Sequence, residues 1–473
     1  MRTVSLHELG FGEIHTQVTG ITHNSGWVEF GFVFVAIQGI HQDGHNFIPD
    51  AIKRGAVAVV GSADLADIGV PYLRVENTRQ ALADMSCIFF GHPSRELYMV
   101  GVTGTDGKTT TSWMTHHLLS EAVPTGLLST VGYMLADGVL RHFPQHFTTP
   151  EAPEIQRILR DMKDSGCQAV VLEVSSHALE LERVRGIAFD VGIWTNLTPE
   201  HLDFHGDMAH YFEAKRKLLD QSKYALVNLD NEWTASLADL KHVQGFGIEA
   251  SEATWLAQDI LEDATGLRFF VRSMNDGVDL PMLGRFNVYN ALAALAAAHH
   301  FGMPWSTLRE KISHFPGIPG RMQCIWPNPR VIVDFAHTPP SVEHVLKTLR
   351  KTTQGRLIIV LGSAGGNRDP RKRAPLGEMA ARFADHAIFT EEDHRETPIW
   401  DILHEMERGA LRVPNAAYEM IPDRHDAITK AIAMVQPEDT VVLAGKGPED
   451  TLERNGASIP WNEVDIALKI LKG

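Results

Sequence analysis

Cysteine is scarce in this 473-residue chain: Cys87, Cys167 and Cys324 lie far apart and form no C-x-x-C pair. That spacing excludes a disulfide framework and a thiolate metal site, and it fits a reducing cytoplasm. Positive charge is short as well, with 43 Lys and Arg against 59 Asp and Glu and a formal net charge of −16. A general nucleic-acid or anionic-membrane partner needs a basic field, so neither is expected, and any phosphate or carboxylate ligand must be met by local cations. No apolar run is long enough to span a bilayer. The most apolar helical stretch is Ala291 to Ala298, and no long apolar segment follows Arg2 at the N-terminus. A cytoplasmic location is therefore expected. Fixed-period repeats and low-complexity segments are also absent.

What is present divides into three blocks, as expected for a chain too long for one hydrophobic core. Residues 1–97 alternate short strand-like runs (Phe32 to Ala36, Val57 to Val60) with a helix-like Phe47 to Lys53, and end near the turn Gly91-His92-Pro93. Residues 98–322 alternate strands such as Ala169 to Leu172 and Val191 to Trp194 with helical stretches, the pattern of a largely parallel sheet with crossover helices. Pro316-Gly317-Ile318-Pro319-Gly320 reads as a linker. Residues 323–473 begin with the strand Val331 to Val333, followed by Leu357 to Leu361 and Val441 to Ala444. Each strand runs into a polar or Gly-rich loop, where open α/β sheets place ligands.

The run Gly101-Val-Thr-Gly104-Thr105-Asp106-Gly107-Lys108-Thr109-Thr110-Thr111 follows the apolar Leu97 to Val100. Strand, phosphate loop and helix start are predicted in that order. Gly104 and Gly107 let backbone N–H groups approach phosphate oxygens, Lys108 neutralises charge, and Thr109 can ligate Mg²⁺. A nucleoside triphosphate is the expected ligand. The spacing departs from GxxxxGK[ST], because Val102 stands in the place of the first glycine and Gly101 one residue early. Carboxylates and imidazoles also arrive at predicted strand ends, in Glu173-Val-Ser175-Ser176-His177 and Glu200-His201-Leu-Asp203-Phe-His205. Such groups suit a second metal near the γ-phosphate, although in a chain with 24 His they also read as surface or satisfied side chains.

Taken together the motifs resemble the Mur ligase family across nearly the whole chain and in the family's order. They are Thr103-Gly-Thr-Asp-Gly-Lys-Thr-Thr110, Thr148-Thr149-Pro150, Glu173-Val-Ser-Ser-His-Ala-Leu179, Glu200-His-Leu-Asp203, Ala214-Lys215, Gly284-Arg-Phe-Asn287-Val-Tyr-Asn290, Gly320-Arg321, Asp334-Phe-Ala-His337-Thr-Pro339 and Gly445-Lys-Gly447. The Glu173–Leu179 run, the Thr-Thr-Pro, Phe34-Val35-Ala36 and Asp43-Gly44-His45 are most similar to members that add the third peptide residue to the cell-wall precursor. Three α/β domains are implied: a small UDP-sugar-binding domain, a central P-loop ATPase-like parallel sheet and a C-terminal Rossmann-like domain that takes the amino acid.

The implied reaction is ATP-dependent, ADP-forming amide ligation. A diamino acid joins UDP-N-acetylmuramoyl-L-alanyl-D-glutamate through an acyl phosphate, in peptidoglycan precursor synthesis. A carboxylate resists an amine until phosphoryl transfer gives it a good leaving group, so catalysis is mainly positioning and charge neutralisation. By resemblance Lys108 and Thr109 hold phosphates and the first Mg²⁺, while Glu173 and His201 match metal-holding positions. Lys215 matches a lysine that the family carbamylates, turning a cation into an oxygen anion beside the metal. By residue type alone, Ala214-Lys215-Arg216-Lys217 is a solvated helix face.

Further along, Asn287 matches the adenine-side residue, and Arg321 and Asp334 match phosphate and ribose contacts. By themselves they read as a helix cap and a strand-end turn. A nucleotide clamped there implies domain closure that excludes water. Ser25, His41, Gln42, Thr148, Thr149, Ser175 and Arg183 fall on positions that contact the UDP-sugar, with Asn24-Ser25-Gly26 replacing the usual Asp-Ser-Arg.

For the incoming amino acid, Arg368 and the run Glu392-Asp393-His394-Arg395 align with the carboxylate-gripping motifs, His394 replacing a proline. Gly445 and Glu449 match a second contact, Glu449 facing an ammonium group, with Pro448 where His is usual. These departures leave diaminopimelate, lysine and ornithine open. The ligands implied are ATP, Mg²⁺, the UDP-dipeptide and the diamino acid, acted on by a monomer. Competing readings are another Mur-type amide ligase, folylpolyglutamate synthase-like or dipeptide-adding, and a non-catalytic nucleotide-binding protein.

Overall fold

The computed structural model describes residues 3–39, 42–143, 148–263, 265–366 and 368–472. The chain forms two compact units, one of 1–259, 269–278 and 286–313, the other of 260–268, 279–285 and 314–473. Both are α/β, as the strand and helix pattern predicts.

The first unit begins with a parallel sheet in the order Gly20–Thr22, Phe32–Val35, Ala58–Gly61 and Tyr72–Arg74. Alternation sorts its side chains: Val33, Val35, Ala58 and Val60 enter one core with Leu82, Met85 and Phe89, while Phe34 and Val59 enter another with Ile48 and Ala51. Helix Thr78–Phe90 supplies the first of those faces. It starts because Asn77 Oδ1 accepts from the N–H groups of Arg79 and Gln80 at 3.0 and 3.1 Å. It stops at Gly91 and His92, both left-handed, ahead of Pro93. The same helix ties this block to the larger sheet, through Arg185–Asp84 at 2.9 Å and Gln80–Glu182 at 3.3 Å.

In the larger sheet the parallel strands run Thr125–Ser129, Ala169–Glu173, Tyr98–Thr103, Phe189–Trp194, Ser222–Asn228 and Val243–Gly247. Tyr98–Thr103 sits between Ala169–Glu173 and Phe189–Trp194, so the strand order reverses around it and a crevice opens at the carboxyl ends. Val102 is an interior strand residue, paired with Glu173 and Ile193. For that reason it is no glycine, and the phosphate loop starts at Gly104. Behind the loop, the Ala-rich segment lies in helix Phe286–His300, whose residues 287, 288 and 290–298 are all buried. It is a core helix, in keeping with its unbroken apolar sequence.

In the second unit the sheet order is Gln323–Pro327, Arg330–Asp334, Thr440–Ala444, Leu357–Leu361, His386–Phe389 and Tyr418–Met420, parallel except at the Gln323–Pro327 edge. Apolar side chains cover both faces, as parallel sheets require. Pro316 to Gly320 lies just inside this unit, two residues past the point where the chain enters it at His314, and ahead of the strand Gln323–Pro327. Among the described residues one ion pair is entirely buried: Arg424 meets Glu463 at 2.6 Å and also donates to the carbonyls of Glu391 and Ala444. Glu463→Ala removes the main counter-charge of that guanidinium. It is expected to destabilise the fold by about 3–5 kcal/mol, read as a lowered denaturant midpoint.

Candidate functional site

The phosphate loop is held from the neighbouring strand. After Trp194, Thr195 Oγ1 donates to the carbonyl of Asp106 at 2.6 Å, and Asn196 Oδ1 accepts from the N–H groups of Thr105 and Asp106 at 3.2 and 2.9 Å. Gly104 has φ +153°, and a Cβ there would come 1.9 Å from Thr195 Oγ1. Gly107, at φ +80°, opens helix Lys108–Leu119, and a Cβ there would lie 2.4 Å from Asn290 Oδ1. Both glycines are therefore required by backbone shape and close approach, and the helix N-terminus faces the loop with its N–H groups. Lys108 Nζ folds back onto the carbonyls of Gly104 and Thr105 at 3.1 and 2.8 Å. Thr110 lies in the first helical turn.

Next to the loop, Thr109 Oγ1 donates to both oxygens of Glu173 at 3.0 and 3.1 Å. Thr130 holds the same carboxylate, from its N–H at 2.9 Å and its hydroxyl at 3.0 Å. Parallel register makes the pairing possible, because Glu173 is the last residue of the strand beside Tyr98–Thr103. Among the described residues no group of three or more His, Cys, Asp and Glu side chains is arranged to hold a metal. A hydroxyl and a carboxylate at 3.0 Å nonetheless fit Mg²⁺, which takes one or two protein oxygens and completes its shell with phosphate and water.

Lys215 is buried to 1% exposure on helix Met208–Asp220, with Nζ 2.6 Å from the Gly104 carbonyl and 4.8 Å from the Tyr211 ring centroid. The solvated helix face expected from residue type alone is not found at this position. Burial, reinforced by the charge of Lys108, pushes its pKa well below the ordinary lysine value. His201 is half exposed; its partners are Glu200 at 3.8 Å and the rings of His177 and Tyr211. Tyr211 links this group to the loop, its hydroxyl lying 3.2 Å from Thr105 Oγ1. Burial, aided by His201, pushes His177 down to about 4, and burial also lowers His205, which hydrogen-bonds Ser176 Oγ at 3.0 Å.

Three of the residues expected to contact the UDP-sugar form one turn. Thr149 Oγ1 donates to the Glu173 carbonyl at 2.9 Å and accepts from the Ser175 N–H at 3.1 Å. Arg183 reaches the Thr149 carbonyl at 3.0 Å and Glu151 at 2.6 Å. Thr148 is half-buried just ahead of them. Ser25 sits in the short turn Ser25–Trp27, capped by Asn24, and the Gln42 carbonyl accepts from Gly39 N–H at 2.9 Å. His41 lies outside the described residues. Arg79 and His23 approach Glu151 from the N-terminal block, so the turn is met from both parts of this unit.

Asn287 is buried in the second position of its helix and accepts from Asn290 Nδ2 at 2.9 Å; Asn290 Oδ1 accepts from Thr111 at 3.1 Å. An amide relay thus joins it to the phosphate-loop helix. In the second unit Asp334 accepts from the N–H groups of Met322 and Ala336, both at 2.7 Å, and burial pushes its pKa up. Arg321 stacks over Phe335 at 5.1 Å.

The loops after Leu361, Phe389 and Ala444 meet at adjacent strand ends. Gly365 N–H donates to the Asp393 carbonyl at 2.9 Å. Lys446 is fully buried between Asp393 at 2.8 Å and Glu449 at 2.5 Å. Although burial opposes its charge, Glu449 and Asp393 raise its pKa. His394 occupies the proline position with its ring hydrogen-bonded to the Thr397 carbonyl at 3.0 Å. Arg395 is ion-paired with Glu453, and Arg368 is exposed.

Thr130, Thr195, Asn196, Asn290, Tyr211 and Glu453 carry much of this geometry without having been singled out from sequence. Thr195-Asn196 at a strand end, and Asn290 one turn after Asn287, were the available signals.

A strand-loop-helix phosphate site, a hydroxyl–carboxylate pair and a buried lysine define an ATP-using α/β enzyme. Comparison with known proteins makes the class specific. The profile of the Mur ligase middle domain matches residues 102–298, that of the Mur ligase glutamate ligase domain 320–447, and that of the Mur ligase family catalytic domain 17–89. The chain is 57% identical over 465 residues to a UDP-N-acetylmuramyl-tripeptide synthetase of Deinococcus radiodurans, covering 96% of this chain and 95% of that one. It is 38% identical over 480 residues to a UDP-N-acetylmuramoyl-L-alanyl-D-glutamate–2,6-diaminopimelate ligase of Halalkalibacterium halodurans, covering 99% and 96%. A solved structure of a ligase with this second description superposes with a TM-score of 0.69 at 29% identity, covering 99% of both chains. The chain belongs to the Mur ligase family.

Gly107→Ala forces an alanine into the left-handed region, at a cost of about 1–2 kcal/mol, and against Asn290. Affinity for MgATP is expected to fall by about tenfold or more, measured by titration calorimetry.

Proposed function

We infer that this chain is an ATP-dependent, ADP-forming amide ligase that adds a diamino acid to UDP-N-acetylmuramoyl-L-alanyl-D-glutamate in peptidoglycan precursor synthesis. The observation that carries the reading is the phosphate loop with Thr109 hydrogen-bonded to Glu173, in a chain 57% identical to a tripeptide synthetase over nearly its full length. The domains in this reading are 1–97, 98–322 and 323–473; the family profiles match residues 17–89, 102–298 and 320–447.

Phosphate oxygens are received by the loop N–H groups and by Lys108, which exchanges its carbonyl partners for them. Thr109 and Glu173 would hold Mg²⁺, with His201 on the same side of the loop through Tyr211; the ion neutralises charge on the phosphates. The Thr149–Ser175–Arg183 turn begins at the Glu173 carbonyl, so the muramoyl substrate it binds is delivered beside the phosphates. Positioning of the D-glutamate carboxylate there favours γ-phosphoryl transfer and then attack by the amine. Asn287, Arg321 and Asp334 serve the nucleoside side. Arg368, Glu392, Asp393, His394, Arg395, Gly445 and Glu449 serve the amino acid.

Lys215 is the residue for carbamylation. Addition of CO₂ forms an N–C bond only from the neutral amine, which then loses a proton, and burial favours that neutral form. The product places an anion 111 residues away in sequence but beside the loop, where Nζ already touches Gly104. All these groups come from one chain, so the reading needs only a monomer. Free cysteines and the lack of a membrane-length apolar helix among the described residues accord with a cytoplasmic setting.

ATP, the UDP-dipeptide and a diamino acid together are expected to give ADP and phosphate stoichiometric with a new amide, followed by mass and by coupled ADP assay. Release of AMP would refute the acyl-phosphate route, and ATP turnover indifferent to the amino acid would point to a nucleotide switch. Lys215→Ala should lower kcat by about 100-fold or more, with partial recovery on adding short carboxylates. Full activity in that variant would exclude the carbamate.

A further inference from the structure

Glu392 is 7% exposed, and among the described residues its Oε2 has no hydrogen-bond partner. The oxygen is aimed at the backbone of Gly445, where a Cβ would lie 3.0 Å from it. Folded proteins rarely keep a buried carboxylate oxygen unpaired, because its desolvation is then uncompensated.

The neighbouring Lys446, Arg424, Arg454 and Arg395 side chains are already engaged, and the His337 imidazole, whose charge acts on Glu392, is kept below its ordinary pKa by burial. Lys446 is held by Asp393 and Glu449, Arg424 by Glu463, and Arg454 by Glu391 and by Asp423 at 3.3 Å. Arg395, the side chain that aligns with a carboxylate grip, is ion-paired with Glu453 and donates to the Gly365 carbonyl at 3.1 Å. Its backbone is fixed too. The N–H donates to the Glu453 carbonyl at 3.1 Å, its carbonyl accepts from Asn455 at 2.8 Å, and φ is +52°. Turning the guanidinium to a ligand means breaking the Glu453 pair and the Gly365 bond together.

Resting on the ligase reading above, we propose that the amino acid joined by this chain ends in a side-chain ammonium and carries no second carboxylate, and that Glu392 receives that ammonium. A linear α,ω-diamino acid, lysine or ornithine, meets the requirement. meso-Diaminopimelate does not, since its second carboxylate would enter among Glu392, Asp393 and Glu449 once the unpaired guanidinium of Arg368 is taken by the α-carboxylate, while Arg395 is held by Glu453. Exclusion by repulsion is as much a part of the specificity as attraction of the ammonium. The α-carboxylate common to all three candidates is left for Arg368, which is exposed and has no ion pair among the described residues.

The test offers the full chain, with MgATP and UDP-N-acetylmuramoyl-L-alanyl-D-glutamate, four amino acids separately and in competition: lysine, ornithine, meso-diaminopimelate and norleucine. Products are identified by mass and rates by ADP release. The better of lysine and ornithine is expected to exceed both diaminopimelate and norleucine in kcat/KM by about 100-fold or more. Glu392→Gln is expected to raise KM for that amino acid about 10- to 100-fold, while KM for ATP and for the UDP-dipeptide stays within about twofold. Preference for diaminopimelate, or equal use of norleucine, overturns the inference and leaves the ligase reading standing. An unchanged KM in Glu392→Gln removes that residue from the role. No amide with any of the four would instead refute the ligase reading itself.

Discussion

Parallel register is the constraint on which the central site depends. Glu173 pairs with Val102, and Trp194 with Thr103, so the strands on either side of Tyr98–Thr103 end where it ends. From one neighbour comes the carboxylate that Thr109 binds, and from the other the Thr195-Asn196 pair that shapes the loop. A slip of one residue would turn these side chains to the opposite face of the sheet. Core packing enforces the register, because Val100, Val171, Val191 and their neighbours are all buried.

On that frame the two units solve opposite electrostatic problems. Around the phosphate loop two lysines are kept close together: Lys215 is buried, which favours its neutral form beside Lys108, and the loop carbonyls accept from both. Lys108 and the loop N–H groups are thus set in place before an anion arrives, a preorganised state of the kind phosphoryl transfer exploits. In the strand-end loops of the second unit, buried lysine and arginine side chains are ion-paired with carboxylates, Lys446 with Asp393 and Glu449 and Arg424 with Glu463.

The sequence was most legible where local chemistry dictates local shape. A glycine pair ahead of Lys108-Thr109 favours a tight turn into a helix, and short apolar runs rich in Val and Ile and bounded by polar residues favour buried strands. Fold class, strand positions and the phosphate loop follow from such signals. Contacts between distant segments were less visible. Lys215 reads as a solvated lysine among Arg216 and Lys217, and only tertiary packing removes it from water. Thr195, Asn290 and Tyr211 are ordinary residues by type, and their roles arise from strand and helix ends meeting. Arg395 follows the acidic run in sequence, but its partner Glu453 belongs to a hairpin 58 residues on, which no local pattern could reveal.

Lys108 already has two oxygen acceptors in this structure. Nucleotide binding at this lysine is accordingly a swap, one kind of acceptor displacing another, so the useful free energy is the difference between a phosphate oxygen and a peptide carbonyl. A solitary small anion gains little from such a trade. A chain of linked phosphates, touching the loop at several points at once, can turn many small differences into tight retention, and thereby favours polyphosphate over the loose anions of the cell.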